Sequence, residues 1–388
     1  MPLPPLVPPA AELTPREIAR YSRHLLLPEI GIEGQKRLKN ARVLVAGAGG
    51  LGSPALLYLA AAGVGTLGVV DVDVVEESNL QRQIIHGTSD IGRPKVHSAR
   101  DAIAELNPLV SVRLHEYGLA PDNAVELFTE YDLILDGTDN FATRYLVNDA
   151  AVLAHKPYVW GSIYRFEGQV AVFWEDAPDA ADGSRRGLNY RDLYPEPPPP
   201  GLVPSCAEGG VLGVLCASIA SVMGTEAIKL ITGIGEPLLG RLLIYDALAM
   251  TYRTITVRKD PAAPPVTGLV DYEAFCGTAP QAEPGITPAE LRELLDSGTV
   301  ALIDVRDRAE WEINRIDGAV LIPKAVLESA EGLALLPADR VPVLYCKTGV
   351  RSAAALAVVQ KAGFPGARHL QGGIVAWARQ FEPDMPSY

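Results

Sequence analysis

Two runs of residues in this 388-residue chain carry side chains whose types and spacing could do chemistry. The first is Gly47-Ala48-Gly49-Gly50-Leu51-Gly52, and the second is Cys346-Lys347-Thr348-Gly349-Val350-Arg351-Ser352. A glycine-rich turn between a strand and a helix lets the backbone approach a phosphate, while the helix N-terminus supplies N–H donors and partial positive charge. Asp71 follows about twenty residues on, at the end of the next apolar run, where a carboxylate can accept from ribose hydroxyls. That much suits a dehydrogenase equally well. The residues beyond it do not. Asp73, then Glu77-Ser78-Asn79-Leu80-Gln81-Arg82-Gln83, then Lys95 and Asp136-Gly137-Thr138-Asp139-Asn140 form a polar set for which hydride transfer has no use. A reaction between a carboxylate and ATP does use it, because two anions must be brought together by cations. Arg82 and Lys95 can neutralise phosphate oxygens, and Asp139 can hold Mg²⁺, which takes carboxylate and phosphate oxygen together. Asp73 ranks below Asp71, since a strand-end cap would account for it.

In the second run the thiol stands where a strand gives way to a tight loop and then a helix. Converging backbone N–H groups, Arg351 and the helix dipole are expected to favour thiolate, the nucleophilic form. Phosphatase loops also gather Cys and Arg around an anion cradle, with one more residue between them. Here four residues separate Cys346 from Arg351, one fewer than the loops that make room for phosphate.

The elements that must position these groups alternate as in a doubly wound parallel sheet. Strands are expected at Arg42 to Ala46, Thr66 to Val70 and Asp132 to Asp136, with helices from Pro54 to Ala62 and from Val211 to Ile231 and further strands from Leu242 to Val257. Thr14 before Pro15 reads as an N-cap. Residues 1–11 read as a disordered Pro-rich tail, 12–260 as the first domain, 261–284 as a Pro/Ala linker and 285–388 as a second, smaller α/β domain. Within the first domain, Glu175 to Pro204 is expected to be an extended loop. In the second, helices at Pro288 to Asp296, Ser352 to Ala362 and Ile374 to Gln380 surround strands at Ala301 to Asp304 and Pro342 to Tyr345.

On these residues, about 12 to 260 resemble the MoeB/ThiF family, the adenylation domains related to ubiquitin-activating enzymes, with a Rossmann-like fold. The resemblance implies that Gly50, Asp71, Asn79, Arg82, Lys95 and Asp139 contact ATP or its magnesium, with Gly47, Gly49, Gly52, Asp73, Ser78, Leu80, Gln81 and Asn140 in the same nucleotide site. It implies a substrate too: the C-terminal Gly-Gly carboxylate of a small β-grasp carrier protein attacks the α-phosphate to give an acyl-adenylate. Arg23 matches a family arginine that reaches into the partner subunit's nucleotide site, so a homodimer is implied. Residues 286 to 388 are similar to rhodanese sulfurtransferases, by the loop at Cys346 and by Asp304-Val305-Arg306, Glu310-Trp311, Gly318-Ala319 and Gly372-Gly373 before Trp377. A persulfide on Cys346 is implied, loaded from thiosulfate or a cysteine desulfurase. The order of the two parts resembles the MoeZ-type fusion and eukaryotic molybdopterin-synthase sulfurylases. Cys206, before Ala207-Glu208-Gly209-Gly210, stands at the family's conjugating or transfer cysteine and is expected to resolve an acyl-disulfide with Cys346. An alternative passes the carrier to Cys206 as a thioester and on to a lysine, with the rhodanese domain as a docking module.

Many members of the family hold zinc between two Cys-x-x-Cys pairs. This chain has Asn189-Tyr190-Arg191-Asp192 and Lys259-Asp260-Pro261 near those places, so no structural zinc is expected. Cys216 and Cys276 read as packing residues, and the six histidines show no ligand spacing. With 47 acidic against 34 basic residues and a net charge of −13, the chain has no electrostatic footprint for nucleic acid or an anionic membrane. Its apolar stretches read as too short to span a bilayer, its first residues do not fit a secretory signal, and four cysteines suggest a reducing, cytoplasmic setting.

Overall fold

The computed structural model describes residues 3–10, 12–179, 183–184, 186–198, 209–276 and 285–388. These fall into two compact units, the second beginning after residue 278.

In the first unit an eight-stranded sheet runs in the order β3-β2-β1-β4-β5-β6-β7-β8. The strands are β1 (Arg42–Ala46), β2 (Thr66–Val70), β3 (Ser111–His115), β4 (Leu133–Asp136), β5 (Tyr158–Tyr164), β6 (Glu167–Phe173), β7 (Arg241–Asp246) and β8 (Thr251–Thr256). β1 to β5 pair in parallel and β6 to β8 extend the sheet antiparallel. Strand order reverses between β1 and β4, which opens a crevice at their carboxyl ends where ligands bind in open α/β sheets. Both strands are apolar on both faces, as a sheet covered on each side requires.

Helix α1 (Pro15–Arg20) starts as expected, with a reciprocal cap between Thr14 and Glu17. It is followed by α2 (Ser22–Leu25) and α3 (Gly31–Asn40). Helix α4 (Gly52–Ala62) begins two residues earlier than the sequence pattern placed it and has no side-chain cap; Ser53 N donates to Gly49 O at 2.9 Å and Pro54 brings no N–H. Helix α5 (Lys95–Leu106), α6 (Ala124–Thr129) and α7 (Phe141–Leu153) complete the parallel half.

The helix Gly213–Thr232 is long and apolar enough, by length and composition, to cross a membrane, which its sequence stretch did not suggest. It is a core element. Leu215, Ile219, Met223 and Leu230 are almost fully buried in the cluster that includes α4 and β1, each burial contributing about 1.5–3 kcal/mol relative to exposure.

Three segments differ from the sequence reading. Residues 3–10 are not a free tail. Leu3 and Val7 are buried in the main core, Leu6 N donates to Leu230 O at 3.0 Å, and Arg37 donates to Val7 O at 2.7 Å. Proline supplies no N–H donor, so the segment is held by its other groups. Second, within the expected loop, Leu188 bridges to Trp174 and Tyr190 is buried among Tyr145, Trp160 and Phe173. Third, the expected linker is anchored at two points: Tyr272 and Cys276 are buried, and the Tyr272 hydroxyl donates to Asp149 Oδ2 at 2.8 Å.

The second unit is a parallel sheet in the order β11-β10-β12-β13-β9, formed by β9 (Gly285–Ile286), β10 (Val300–Asp304), β11 (Val320–Leu321), β12 (Val341–Tyr345) and β13 (Arg368–Leu370). β12 lies in the middle. The helices Val350–Lys361 and Gly373–Phe381 belong to cores on its two faces, through Leu356 with Leu344 and through Trp377 with Val343.

Candidate active sites

The crevice between β1 and β4 is a cavity of about 500 Å³. Its floor is the glycine turn. Gly47 leaves β1 at φ +90, its N–H bonded to Val70 O, and Gly137 N bonds Ala46 O across the strands. A Cβ on Gly52 would overlap the Gly47 carbonyl, and one on Gly50 would come within 2.9 Å of Cys216 Sγ. The turn therefore excludes side chains at the points where it must stay low enough to admit a phosphate.

Asp71 accepts from Ala48 N at 2.8 Å and from Asp73 N at 2.8 Å. Below the turn, His86 sits buried between Ala48 O at 3.1 Å and Ser98 Oγ at 2.8 Å. Burial pushes its pKa down. The neutral ring thus donates through Nε2 to Ala48 O and accepts the Ser98 hydroxyl at Nδ1.

Gly47, Gly49, Gly50, Asp71, Asp73, Asn79, Arg82, Lys95, Asp139 and Asn140 all line this cavity. Gly52, Ser78, Leu80, Gln81 and Arg23 do not appear in its wall. Gly52 opens α4, Gln81 packs against Gly213, and Arg23 is exposed on α2. Asp73 proves more than a strand-end cap, because its Oδ2 holds Lys95 Nζ at 2.8 Å while the lysine is 6% exposed. Asn140 caps α7 by accepting from Thr143 N. Asp139 lines the cavity and, among the described residues, accepts no hydrogen bond, which leaves both its oxygens for a cation.

The sequence reading missed Tyr117, Gly118 and Leu119, which follow β3, and Arg144 on α7, which donates to Thr138 O. The rule that ligands gather at the carboxyl ends of parallel strands would have pointed to the residues after β3. Asp136 is wholly buried, and burial pushes its carboxyl up to about 6. Its Oδ1 takes both Thr138 donors, so it shapes the turn that presents Asp139.

In the second unit Cys346 is fully buried at the end of β12. Gly349 N donates to its Sγ at 3.1 Å, and the Ser352 hydroxyl lies 3.6 Å away. Ile374 N and Val375 N hold the Cys346 and Lys347 carbonyls. Gly373, at φ +58, must be glycine because a Cβ would overlap both carbonyls. Arg351, on the helix that follows the loop, forms a double ion pair with Glu310 through its two terminal nitrogens, at 2.6 and 2.8 Å, which fixes the loop. Cys206 lies outside the described residues.

Residues 21–265 match the ThiF family, and 287–380 match the Rhodanese-like domain. The chain belongs to the ThiF family and carries a rhodanese-like domain after it. Over its whole length it is 73% identical to "Probable adenylyltransferase/sulfurtransferase MoeZ" of Mycobacterium tuberculosis, of which it covers 99%. The "Sulfur carrier protein adenylyltransferase" of Thermus thermophilus is 54% identical, over 68% of this chain and 98% of its own. Among solved structures, E. coli MccB with MccA-N7isoASN superposes with a TM-score of 0.55 at 20% identity, covering 67% of this chain and 74% of that one. That likeness shows the fold alone. This ThiF-family chain is a bifunctional adenylyltransferase and sulfurtransferase.

The two segments standing near the family's zinc cysteines are joined here by charge. Lys259 Nζ meets Glu175 Oε2 at 2.6 Å and Asp192 Oδ2 at 3.2 Å, and Asn189 donates to Glu175 at 2.7 Å. Among the described residues no group of three or more His, Cys, Asp or Glu is gathered to hold a metal. Lys259 is one-third exposed, so Lys259→Met should cost about 1–2 kcal/mol, between an open and a buried pair. Scanning calorimetry should show the first unit melting about 3–6 °C lower. EDTA should leave the wild-type melting temperature unchanged, and a fall on chelation would show that a metal shares the clamp.

Proposed function

We propose that the chain uses ATP to adenylate the C-terminal glycine of a small β-grasp carrier protein, then converts that carboxylate to a thiocarboxylate with sulfur carried on Cys346. The observation that supports this best is the coexistence, in one chain, of a phosphate-admitting crevice lined by Lys95, Arg82 and Asp139 and a sulfur loop built around Cys346.

The crevice wall carries four carboxylates, Asp71, Asp73, Glu76 and Asp139, against three cations, Arg82, Lys95 and Arg144. A polyphosphate entering that field needs a divalent cation, and Asp139 is the group that would hold Mg²⁺. Magnesium supplies charge neutralisation across the phosphates. Lys95, fixed by Asp73, and Arg82, bonded through Nη1 to Ser78 O, place positive charge beside them. The carrier carboxylate attacks the α-phosphorus and pyrophosphate leaves. A persulfide sulfur on Cys346 then attacks the acyl carbon, AMP departs with the C–O bonding pair, and an acyl-disulfide results. A second thiol cleaves its S–S bond to release the thiocarboxylate. Cys206 is proposed for that step, with a cellular dithiol restoring both cysteines. Carrying both reactions on one chain raises the local concentration of persulfide near a hydrolysable intermediate.

A homodimer completed by Arg23, a cytoplasmic setting, and thiosulfate or a cysteine desulfurase as sulfur source belong to the same proposal. Transfer of the carrier to lysines through Cys206 finds no support in relatives named for adenylyl and sulfur transfer.

The test is the intact mass of a Gly-Gly carrier after incubation with the protein, Mg-ATP and thiosulfate. A gain of about 16 Da, oxygen exchanged for sulfur, is expected with wild type. Unmodified carrier with ATP converted to AMP and pyrophosphate would refute the sulfur acceptor step.

A further inference from the structure

The glycine turn on the floor of the crevice has most of its polar groups engaged. Gly47 N donates to Val70 O at 2.9 Å, Ala48 N to Asp71 Oδ2 at 2.8 Å, and Gly49 O accepts from Ser53 N at 2.9 Å. The Ala48 carbonyl accepts from His86 Nε2 at 3.1 Å. Among the described residues the Gly49 N–H meets no acceptor. This N–H and the Ala48 carbonyl belong to one trans peptide unit, so they point in opposite directions. Gly49 is part of the crevice wall, while Ala48 and His86 are not. Drawing the carbonyl to the buried ring therefore turns the N–H toward the crevice.

The other end of the ring reaches a second element of the site. His86 Nδ1 lies 2.8 Å from the hydroxyl of Ser98, which stands on α5 one turn after Lys95. Ala48 O can only accept, so the proton of the neutral ring sits on Nε2 and the hydroxyl donates to Nδ1. Asp90, which also neighbours Ser98, is bound by Gly87 N at 2.9 Å and by Arg93. One imidazole thus ties the glycine turn to the helix that carries Lys95.

We infer that His86 is a positioning residue for nucleotide binding: its ring orients the Ala48–Gly49 peptide so that the Gly49 N–H, held in register with the Lys95 ammonium, donates to a phosphate of ATP. The inference rests on the reading of the crevice as the ATP site. A donor fixed in advance needs no reorganisation when the anion arrives, and the buried ring supplies that fixation without itself touching the nucleotide.

The experiment is calorimetric titration of the full chain with Mg-ATP and, separately, with adenosine, for wild type, His86→Gln, His86→Asn and His86→Leu. Glutamine can place an amide N–H where Nε2 stands, whereas asparagine, one methylene shorter, places it where Nδ1 stands. His86→Asn and His86→Leu should each raise the Kd for ATP about 10-fold, the scale of one hydrogen bond to a charged group, and leave the Kd for adenosine within about 2-fold. His86→Gln should keep both ligands near their wild-type affinities. Gln and Asn variants equally impaired toward ATP would overturn the inference, even if the Leu variant fails to fold. Adenosine weakened as much as ATP would overturn it as well, since a general deformation of the site would then be the cause, and so would wild-type ATP affinity in a folded Leu variant. Wild type that binds no ATP would overturn the reading of the crevice itself, and this inference with it.

Discussion

Cys346→Ser should abolish thiocyanate formation from thiosulfate, by about 10³-fold or more, while ATP–pyrophosphate exchange with a Gly-Gly carrier stays at the wild-type rate. Serine keeps the size of the side chain and can still accept from Gly349 N, which at present donates to the sulfur at 3.1 Å. What it lacks is a nucleophile able to form a persulfide. Because the Cys346 loop is part of a unit with its own core, the loss should not spread to the adenylation crevice. A parallel fall in exchange would mean that the two half-reactions are not separable and that Cys346 acts in more than sulfur carriage.

The second large effect is expected at Lys95. Its ammonium is buried at 6% exposure and paired with Asp73, so it enters the cavity as a fixed charge and needs no reorganisation when charge develops on a phosphate. Lys95→Met keeps the apolar stem and removes the charge. ATP–pyrophosphate exchange should fall by about 10²–10³-fold, the usual cost of one preorganised donor. Thiosulfate:cyanide transfer by the same variant should be unchanged, the mirror image of Cys346→Ser. Asp73→Asn should give a smaller loss, because the lysine keeps its charge and loses only its anchor. Equal losses in the two variants would show that the carboxylate itself meets the nucleotide.

The parts of this protein that were legible in its sequence are those where local chemistry allows one answer. β1 and β2 fall where the β-branched runs end, because each run stops where a different kind of residue is needed, the glycine turn after Ala46 and the carboxylate of Asp71 after Val70. The crevice residues were legible for the same reason, since Asp71, Arg82, Lys95 and Asp139 come from four segments whose ends the parallel sheet collects at one edge. What escaped were pairings between segments far apart in the chain. Nothing near Arg351 announces that its charge goes to Glu310, 41 positions earlier, and composition alone makes Lys259 look like a solvated lysine instead of the bridge between Glu175 and Asp192. Prolines misled in the other direction. They argued for freedom in residues 3–10, where the apolar Leu3 and Val7 decide the outcome by burial.

That short segment also bears on how the protein can be divided. The span recognisable by family likeness, 21–265, is smaller than the body that folds around it. On one side Leu3 and Val7 cover part of the helix Gly213–Thr232 and α3, and on the other Tyr272 is latched to Asp149. A fragment trimmed to the recognisable span would expose greasy seams at both ends, so its poor solubility would say nothing about whether the adenylating half can live without its sulfur-carrying neighbour. Dissection of this enzyme into working halves has to cut outside those two seams.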